Sequence, residues 1–484
     1  MATSKAGTLK GLASAFALAG GLLAVAGQAQ AAATIVINNL NGPGVGFNDT
    51  TPVAPIGGNT GTTLGEQRLI AFSYAANIWG ATLTSNQPIV INAQFSALTC
   101  TAASAVLGSA GATSIFRNFA NAPKADTWYS YALANKIAGV YQGTLNAPQI
   151  NANFNANLGQ PGCLTGTFFY LGLDGNHGTN TDFVAVLLHE MGHGLGFQTF
   201  TNGTTGAFNG GFPSIWDHYL FGVNEGKLWK DMTAPERAAS AISLDKLVWT
   251  GPIVTAAVPN VLRFGLTAAT FSGPAAGAAT GTVRVGEAGF GPALGSAAFV
   301  GEVMPVAEQT PGAGQGCEPF SAANARAVNG KFALISRGVC GFVVKVKNAQ
   351  NAGATGVLIA DNVAETAIVP AGLGGSDPTI TIPAVRIFLS DGNKLREGLK
   401  TRSRTSSGIF VSLGVAIAQY AGADPQGRAQ MFAPNPFQGG SSVSHFDTTM
   451  TRNQLMEPAI NGDLTQSVTP PLDMSFPLLQ DIGW

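Results

Sequence analysis

The chain has 484 residues, of which 45% are hydrophobic and 11% carry a charge, and its formal net charge is −1. This length predicts about two or three domains, and the hydrophobic share is ample for sizeable cores. The composition shows neither the basic excess that a nucleic-acid partner requires nor a polyanionic tail. The small share of charged residues favours a loop-rich extracellular protein.

Residues 1–31 have the layout of a secretory signal peptide. Two lysines precede an apolar run from Gly11 to Gly27, and small residues follow at Ala29 and Ala31, where a signal peptidase would cut. The run is short and interrupted by Gly, Ser and Ala, which favours cleavage over an uncleaved anchor. We therefore expect a mature chain that starts near Ala32, has no membrane span, and is secreted to the extracellular space or the periplasm.

Four cysteines are expected to form two disulfides, because export takes them into an oxidising compartment. Four cysteines allow three pairings. Their order along the chain favours Cys100–Cys163 and Cys317–Cys340, since each pair then lies within one expected domain. Zinc-thiolate binding is the alternative, and the lack of a CxxC spacing argues against it.

The first part of the mature chain is expected to mix helices and strands. Apolar residues at helical spacing predict a helix over 64–80. Strands are predicted over 88–95 and 166–173. A further helix is predicted from about Asp182, with Thr181 or Asp182 as its N-cap.

From roughly 265 to 415 the pattern changes to short strands that alternate with brief helices, which is typical of a compact α/β module. The predicted strands are 331–335, 356–360 and 381–387, and the predicted helices are 342–351 and 391–399. Stretches rich in Gly, Ala and Thr at 266–283 and in polar residues at 401–407 are interpreted as linkers. The remaining 416–484 is expected to be mostly irregular.

The strongest signal for chemistry is an HExxH motif, in which His189 and His193 flank Glu190. Two histidines four residues apart lie on one face of a helix, so both imidazoles can bind one tetrahedral zinc ion. Glu190 can then accept a proton from a zinc-activated water that attacks a carbonyl. Apolar residues at 183–188 would bury this helix, and the glycines within 192–196 predict a sharp turn directly after the second ligand.

A catalytic zinc site needs a third protein ligand. The short metzincin pattern HExxHxxGxxH would place a histidine at 199, but that position is Thr199. A glutamate can also serve as the third ligand, but Glu225 lies in a polar, Gly-containing stretch with no clear helical face, which argues against this role for it. His218 is the second choice for this ligand, although its surroundings favour a partly buried histidine, and His177 is expected to be exposed in a polar turn.

The segments 442–447 (SVSHFD) and 454–458 (QLMEP) resemble the leishmanolysin-type metzincins, in which a long insertion separates the zinc helix from the third histidine. Gly196 matches the glycine of that family. The resemblance implies that His445 is the third ligand of one Zn²⁺. It also implies that Met456, eleven residues later, lies beneath the zinc without binding it. The closing LLQDIGW is similar to the end of that family, but the insertion here is longer than the family's.

The insertion resembles the protease-associated (PA) domain. The matching residues are Gly316–Phe320, then Gly330–Phe342, and then the run that ends in Gly356–Ile359. Such modules are non-catalytic and occur in several classes of secreted peptidase. A role in substrate access and a purely structural role are both left open.

Together these features predict an α+β protein with a metzincin-like zinc peptidase domain and an inserted α/β PA domain. The predicted segments are a signal peptide 1–31, catalytic segments 32–264 and 416–484, and the insertion 265–415. The predicted activity is that of a secreted zinc metalloendopeptidase, with Glu190 as general base and proteins or peptides as substrates. The alternative is a secreted binding protein that acts through the PA domain and has a vestigial zinc site. A serine peptidase is set aside because no GxSxG signature is present, and the oligomeric state is left open.

Overall fold

The computed structural model describes residues 32–307, 314–365 and 367–484. The predicted signal peptide, residues 1–31, lies outside the described residues. The helices of the described part, in chain order, are α1 (Leu64–Thr82), α2 (Tyr131–Ala138), α3 (Phe183–Leu195), α4 (Ala234–Ser240), α5 (Pro252–Val261), α6 (Ala322–Val328), α7 (Phe342–Asn351), α8 (Leu389–Gly398) and α9 (Ser475–Ile482).

The strands divide into those before and those after Leu262. The first group is β1 (Ile35–Asn39), β2 (Ile89–Ser96), β3 (Gly108–Ala112), β4 (Ile115–Phe116), β5 (Tyr129–Ser130), β6 (Ile150–Asn155), β7 (Phe169–Tyr170), β8 (Thr181–Asp182), β9 (Leu220–Gly222), β10 (Lys227–Leu228) and β11 (Leu247–Trp249). The second group is β12 (Phe264–Ser272), β13 (Gly281–Arg284), β14 (Gly286–Glu287), β15 (Phe299–Pro305), β16 (Phe332–Ser336), β17 (Gly356–Ala360), β18 (Ala384–Ile387) and β19 (Phe410–Tyr420).

A four-stranded sheet in the order β1-β2-β6-β3 supports the first part of the chain. β1, β2 and β6 are parallel, whereas β3 pairs antiparallel with β6 and forms the edge. Burial alternates strictly along β2, so every second side chain enters the core. Helix α1 begins with a capping box between Thr63 and Glu66 and packs against α3.

The C-terminal segment returns to this first core. Leu478, Leu479 and Ile482 of α9 share a buried cluster with residues from α1, α3 and the four-stranded sheet. Asp481 accepts hydrogen bonds from the first free amides of α5, at Ile253 (2.9 Å) and Val254 (3.1 Å). Its carboxylate therefore caps that helix. Segments far apart in the chain thus build one core around α3.

An eight-stranded sheet, in the order β13-β12-β19-β15-β16-β17-β18-β14, holds the middle of the chain. Two further buried clusters, separate from the first, lie in this region. The chain enters the sheet at Phe264 and leaves it at Tyr420, on the antiparallel neighbours β12 and β19. The two crossings between the cores therefore lie side by side.

Two sequence predictions about strands are wrong in detail. The stretch 266–283 is not a linker, because residues 264–272 form β12, which is hydrogen-bonded on both sides. Its burial is nearly continuous, so it lacks the period-two pattern of a half-exposed strand. The strand predicted over 166–173 is reduced to the two residues of β7. The polar turn residues around it keep their own loop hydrogen bonds.

Both disulfides are present as paired above. Cys100 is bonded to Cys163 and Cys317 to Cys340. The first joins the loop before β3 to the loop after β6, and the second lies in the PA-like region. No helix within the described residues is long and apolar enough to cross a membrane.

Candidate metal centre

Helix α3 carries two of the predicted ligands on a rigid support. Its N-cap, Asp182, accepts a hydrogen bond from the amide of Val184 (2.9 Å), and all of its residues are buried. The indole of Trp79 donates to the carbonyl of Leu188 (3.0 Å). The apolar run at 183–188 therefore anchors the helix in the core directly before His189.

The glycines of this helix do not all serve the turn that the sequence analysis predicted. Only Gly196, with φ of 125°, ends the helix in a conformation that favours glycine. Gly192 and Gly194 lie inside the helix. A Cβ on Gly192 would lie 2.7 Å from Sδ of Met456, and one on Gly194 would lie 2.3 Å from Ile150. These two glycines permit close packing against the floor of the site and against β6.

The third histidine reaches the helix from the far end of the chain. Nε2 of His193 lies 3.1 Å from Nε2 of His189 and 3.1 Å from Nε2 of His445, and the remaining pair is 3.3 Å apart. Within the described residues, these three form the one group of three or more His, Cys, Asp or Glu side chains close enough to share a metal ion. The structure thus brings together the three histidines named from the sequence.

The ring orientations leave one lone pair on each of these nitrogens. Nδ1 of His189 faces the carbonyl of Leu455 (2.8 Å), that of His193 faces Phe197 (2.8 Å), and that of His445 faces Ser441 (2.7 Å). A carbonyl only accepts, so each Nδ1 carries the hydrogen and each Nε2 is unprotonated.

Three converging lone pairs repel one another unless a cation lies between them. A tetrahedral zinc ion with Zn–N distances of about 2.0–2.1 Å separates its nitrogen ligands by about 3.3–3.4 Å, close to the spacing found here. Backbone carbonyls that fix the outer nitrogens are the usual support of metal-binding histidines. The residues present therefore fit a zinc ion.

Burial keeps these histidines neutral, as metal ligands must be. Burial lowers the pKa of His189 to about 4. Burial, together with the neighbouring His189, lowers the pKa of His193 to about 3. Burial, together with the neighbouring His193 and His189, lowers the pKa of His445 well below its ordinary value.

Met456 packs against helix α3 at Gly192. Its side chain is fully buried, and its carbonyl accepts a hydrogen bond from the amide of Phe446 (2.9 Å), next to His445.

Val443, two residues before His445, is a buried β-branched residue with φ of 74°, an unusual and strained conformation. Backbone strain of this kind persists where the surrounding packing enforces it.

Glu190 is held between α3 and the edge strand β3. Burial raises the pKa of its carboxyl to about 8, against a hydrogen bond from the amide of Ala110 that lowers it. A Cβ on Gly108 would lie only 2.7 Å from Oε1 of Glu190. Gly108 therefore leaves room for this carboxylate, and no local feature of the sequence indicated that contact.

The other candidates for a ligand have different partners. Nε2 of His218 lies 3.1 Å from the hydroxyl of Thr127, and Nδ1 of His177 lies 2.7 Å from the carbonyl of Asn180. A carboxylate oxygen of Glu225 is buried next to Gly222. None of these three side chains belongs to the histidine cluster.

A cleft of about 800 Å³ opens over the histidines. It is lined by β3 and by the segments 198–203, 437–445 and 458–460.

The carbonyl of Leu107 accepts a hydrogen bond from the amide of Asn155 at the end of β6 (2.9 Å). Because backbone groups alternate along a strand, those of Gly108 and Ala110 point away from β6 and toward Glu190. The sequence analysis missed β3 and this free edge altogether.

Comparison with known proteins identifies one region of the chain. The PA domain family matches residues 300–395. These residues contain β16 to β18, α6 and α7, nearly all of β15 and most of α8, in the middle of the eight-stranded sheet. The chain thus contains a PA domain, as the resemblance in the sequence implied.

Curated relatives match over short stretches. "Vacuolar-sorting receptor 5" of Arabidopsis thaliana is 38% identical over 90 residues, which is 18% of this chain and 15% of the receptor. "Minor extracellular protease Vpr" of Bacillus subtilis (strain 168) is 30% identical over 119 residues, 24% of this chain and 14% of that protein. The chain thus spans about a seventh of the length of these relatives.

Solved structures align weakly. "BSAP, a zinc aminopeptidase from Bacillus subtilis" is 21% identical, with a TM-score of 0.22, over 34% of this chain and 35% of that one. The psychrophilic subtilisin-like protease Apa1 from the Antarctic psychrotroph Pseudoalteromonas sp. AS-11 is 17% identical, with a TM-score of 0.22, over 32% and 35%. At these TM-scores neither structure bears on the activity of this chain.

Proposed function

We propose that this protein is a secreted zinc metalloendopeptidase of the metzincin type, similar to leishmanolysin, with an inserted PA domain. The observation that carries the proposal is the convergence of three unprotonated Nε2 atoms, on His189, His193 and His445, beside the buried carboxyl of Glu190. A structural zinc site of four protein ligands has no use for such a carboxyl group, whereas hydrolysis does.

Each residue of the site has a defined part in this proposal. His189, His193 and His445 would hold one zinc ion, which lowers the pKa of a bound water to about 7 and polarises a carbonyl. Glu190 takes the proton of the attacking water and passes it to the amine of the departing peptide. Met456 supports the ligands from below.

The shape of the cleft favours an endopeptidase. On one side of the histidines, Val186 and Ile460 line the cleft, and on the other side Thr201 and Phe437 continue it. The free edge of β3 runs along the same cleft, so an extended peptide can add to it as a further strand. A substrate chain can therefore extend on both sides of the bond that is cut.

The domain limits follow the same proposal. Segments 32–264 and 416–484 would form the catalytic domain, and 265–415 the insertion. The two buried clusters of the middle region and the adjacent chain crossings at Phe264 and Tyr420 support this division. Two disulfides suit an exported protein, with the extracellular space or the periplasm as its destination.

The test is hydrolysis of unfolded casein by the purified mature chain, with Glu190→Gln and His445→Ala assayed beside it and zinc content measured for all three. We expect Glu190→Gln to retain zinc and lose activity by a factor of 100 or more. We expect His445→Ala to lose both. Full activity in Glu190→Gln would overturn the proposed general base, and full activity in His445→Ala would overturn the third ligand.

One observation favours a second function. The PA domain is the region that the family comparison identifies, and one protein that is similar to this chain over 90 residues is named a sorting receptor. Under this alternative the chain is a secreted binding protein with a vestigial zinc site. A zinc-loaded wild-type protein that hydrolyses no member of a broad panel of unfolded proteins would favour it.

A further inference from the structure

Among the described residues that line the cleft over the histidines, charged side chains are nearly absent. Of these described residues, Glu190 alone is acidic, and none is a lysine or an arginine. Each of the three histidines turns Nδ1 to a backbone carbonyl and Nε2 to the proposed zinc ion, so none is left to pair with a charge on a substrate. Under the proposed function, Glu190 is occupied by proton transfer. No charged side chain is therefore left to pair with a charge on a substrate.

The uncharged lining differs between the two sides of the site. Toward the N-terminal half of α3 the aliphatic lining residues include Val106, Leu164, Val186 and Ile460, beside the hydroxyls of Ser104 and Thr181. Past the end of α3 the lining consists mainly of hydroxyl and amide side chains. These are Gln198, Thr199, Thr201, Ser442 and Ser444, with Phe437 above them.

A carboxylate lies behind the second side but is sealed off from the cleft. Asp217 is fully buried and accepts hydrogen bonds from the hydroxyls of Thr199 (2.8 Å), Thr201 (2.6 Å) and Ser214 (2.9 Å). Thr199 and Thr201 line the cleft, and their hydroxyls donate their hydrogens to the carboxylate of Asp217. The carboxylate is therefore satisfied by hydroxyl donors, and Asp217 itself does not line the cleft.

We propose that the cleft selects polypeptide segments that are uncharged around the cleaved bond, with an aliphatic residue on one side and a small hydroxyl or amide residue on the other. This proposal rests on the proposed function and narrows its substrate class. A charged side chain that enters the cleft away from the proposed zinc ion loses water and meets no side chain of opposite charge in the lining, whereas a neutral one loses little. Charged residues next to the cleaved bond are expected to lower kcat/KM by tenfold or more.

Gly439 offers a way to test this selection without disturbing the site. It lies on the rim of the cleft, its φ is not positive, and a Cβ there would meet no atom within 4 Å. Gly439→Asp and Gly439→Lys therefore add a charge of either sign at one point. Gly42 has the same open surroundings but does not line the cleft. Gly42→Asp and Gly42→Lys are matched controls for the change in net charge.

The experiment compares peptides that differ only in a neutral, a Lys or an Asp residue beside the cleaved bond. We measure kcat/KM, and also peptide affinity for the zinc-loaded Glu190→Ala protein. The wild type should prefer the neutral peptides, Gly439→Asp should improve the Lys peptide relative to the Asp peptide, and Gly439→Lys should do the reverse. Both Gly42 variants should keep the wild-type ratios.

Two results overturn this inference and leave the proposed function intact. One is equal cleavage of the neutral and charged peptides by an active wild type. The other is a Lys-to-Asp ratio that is the same in both Gly439 variants. Absence of casein hydrolysis by the zinc-loaded wild type is a different result, because it overturns the proposed function itself.

Discussion

Under the proposed function, replacing Gly108 by alanine should disable the general base while leaving the three histidines in place. The new Cβ would lie 2.7 Å from Oε1 and 2.9 Å from Cγ and Cδ of Glu190. Non-bonded heavy atoms prefer separations of about 3.5 Å or more. The carboxylate must therefore shift by roughly 0.5–1 Å, since the neighbouring atoms of β3 are held by the sheet.

The expected loss follows from that shift. Misplacement of a catalytic group by about 1 Å costs up to roughly 100-fold in rate. We therefore expect Gly108→Ala to lower kcat by about 10- to 100-fold, or about 1.4–2.7 kcal/mol of transition-state stabilisation. Gly108 does not have a positive φ, so alanine fits the backbone itself. Zinc content and melting temperature should stay near the wild-type values.

The matched control lies on the same strand. A Cβ on Gly111 would meet its nearest atom, Oε1 of Gln198, at 3.7 Å, which is an ordinary contact. The assay is cleavage of a quenched fluorescent peptide, with zinc content measured on the same samples. A Gly108→Ala protein with wild-type kcat would refute the reasoning, and so would a Gly111→Ala protein that loses as much.

Three further predictions concern stability and are measured by urea denaturation. Because Met456 is fully buried, Met456→Ala should lower the free energy of unfolding by about 2–5 kcal/mol and Met456→Leu by less than about 1.5 kcal/mol. Equal losses in the two variants would contradict this packing argument. Burial raises the pKa of Glu302, but hydrogen bonds led by that from Ser406 lower it from the ordinary 4.5 to about 2. Its ionised form therefore stabilises the fold above pH 4.5, and this contribution is lost as pH falls toward 2. Glu302→Gln should remove that part of the pH dependence, and an unchanged profile would contradict it. Replacing Cys100 and Cys163 by serine removes a disulfide between residues 63 positions apart, which should lower the free energy of unfolding by about 4 kcal/mol because the unfolded chain gains conformational entropy. An unchanged urea midpoint would contradict this entropy argument.

The parts of the fold that depend on local sequence could be predicted. The helix expected over 64–80 is α1, at Leu64–Thr82, because its apolar spacing and its capping box are local signals. Helix α3 was predicted from about Asp182 on local signals of the same kind, and it begins at Phe183. The PA domain was indicated by its own sequence pattern and is matched over 300–395.

Features that depend on distant segments could not be read from the sequence. Strand β3 has the sequence Gly-Ser-Ala-Gly-Ala, with no β-branched residue and no alternation, and it is a strand because β6 pairs with it. The contact of Gly108 with Glu190 depends on how that strand packs against α3. His445 could be named only through a family resemblance, because spacing within the chain says nothing about a partner so far away.

The distance along the chain between the ligands has a consequence for how the protein is made. His193 and His445 are 252 residues apart, and the PA domain lies between them. During synthesis, which starts at the N-terminus, His189 and His193 are made long before His445. Under the proposed function, hydrolysis must therefore wait until the chain has been made at least as far as His445 and has folded back onto α3. The order of synthesis itself then protects the cell that makes this protein.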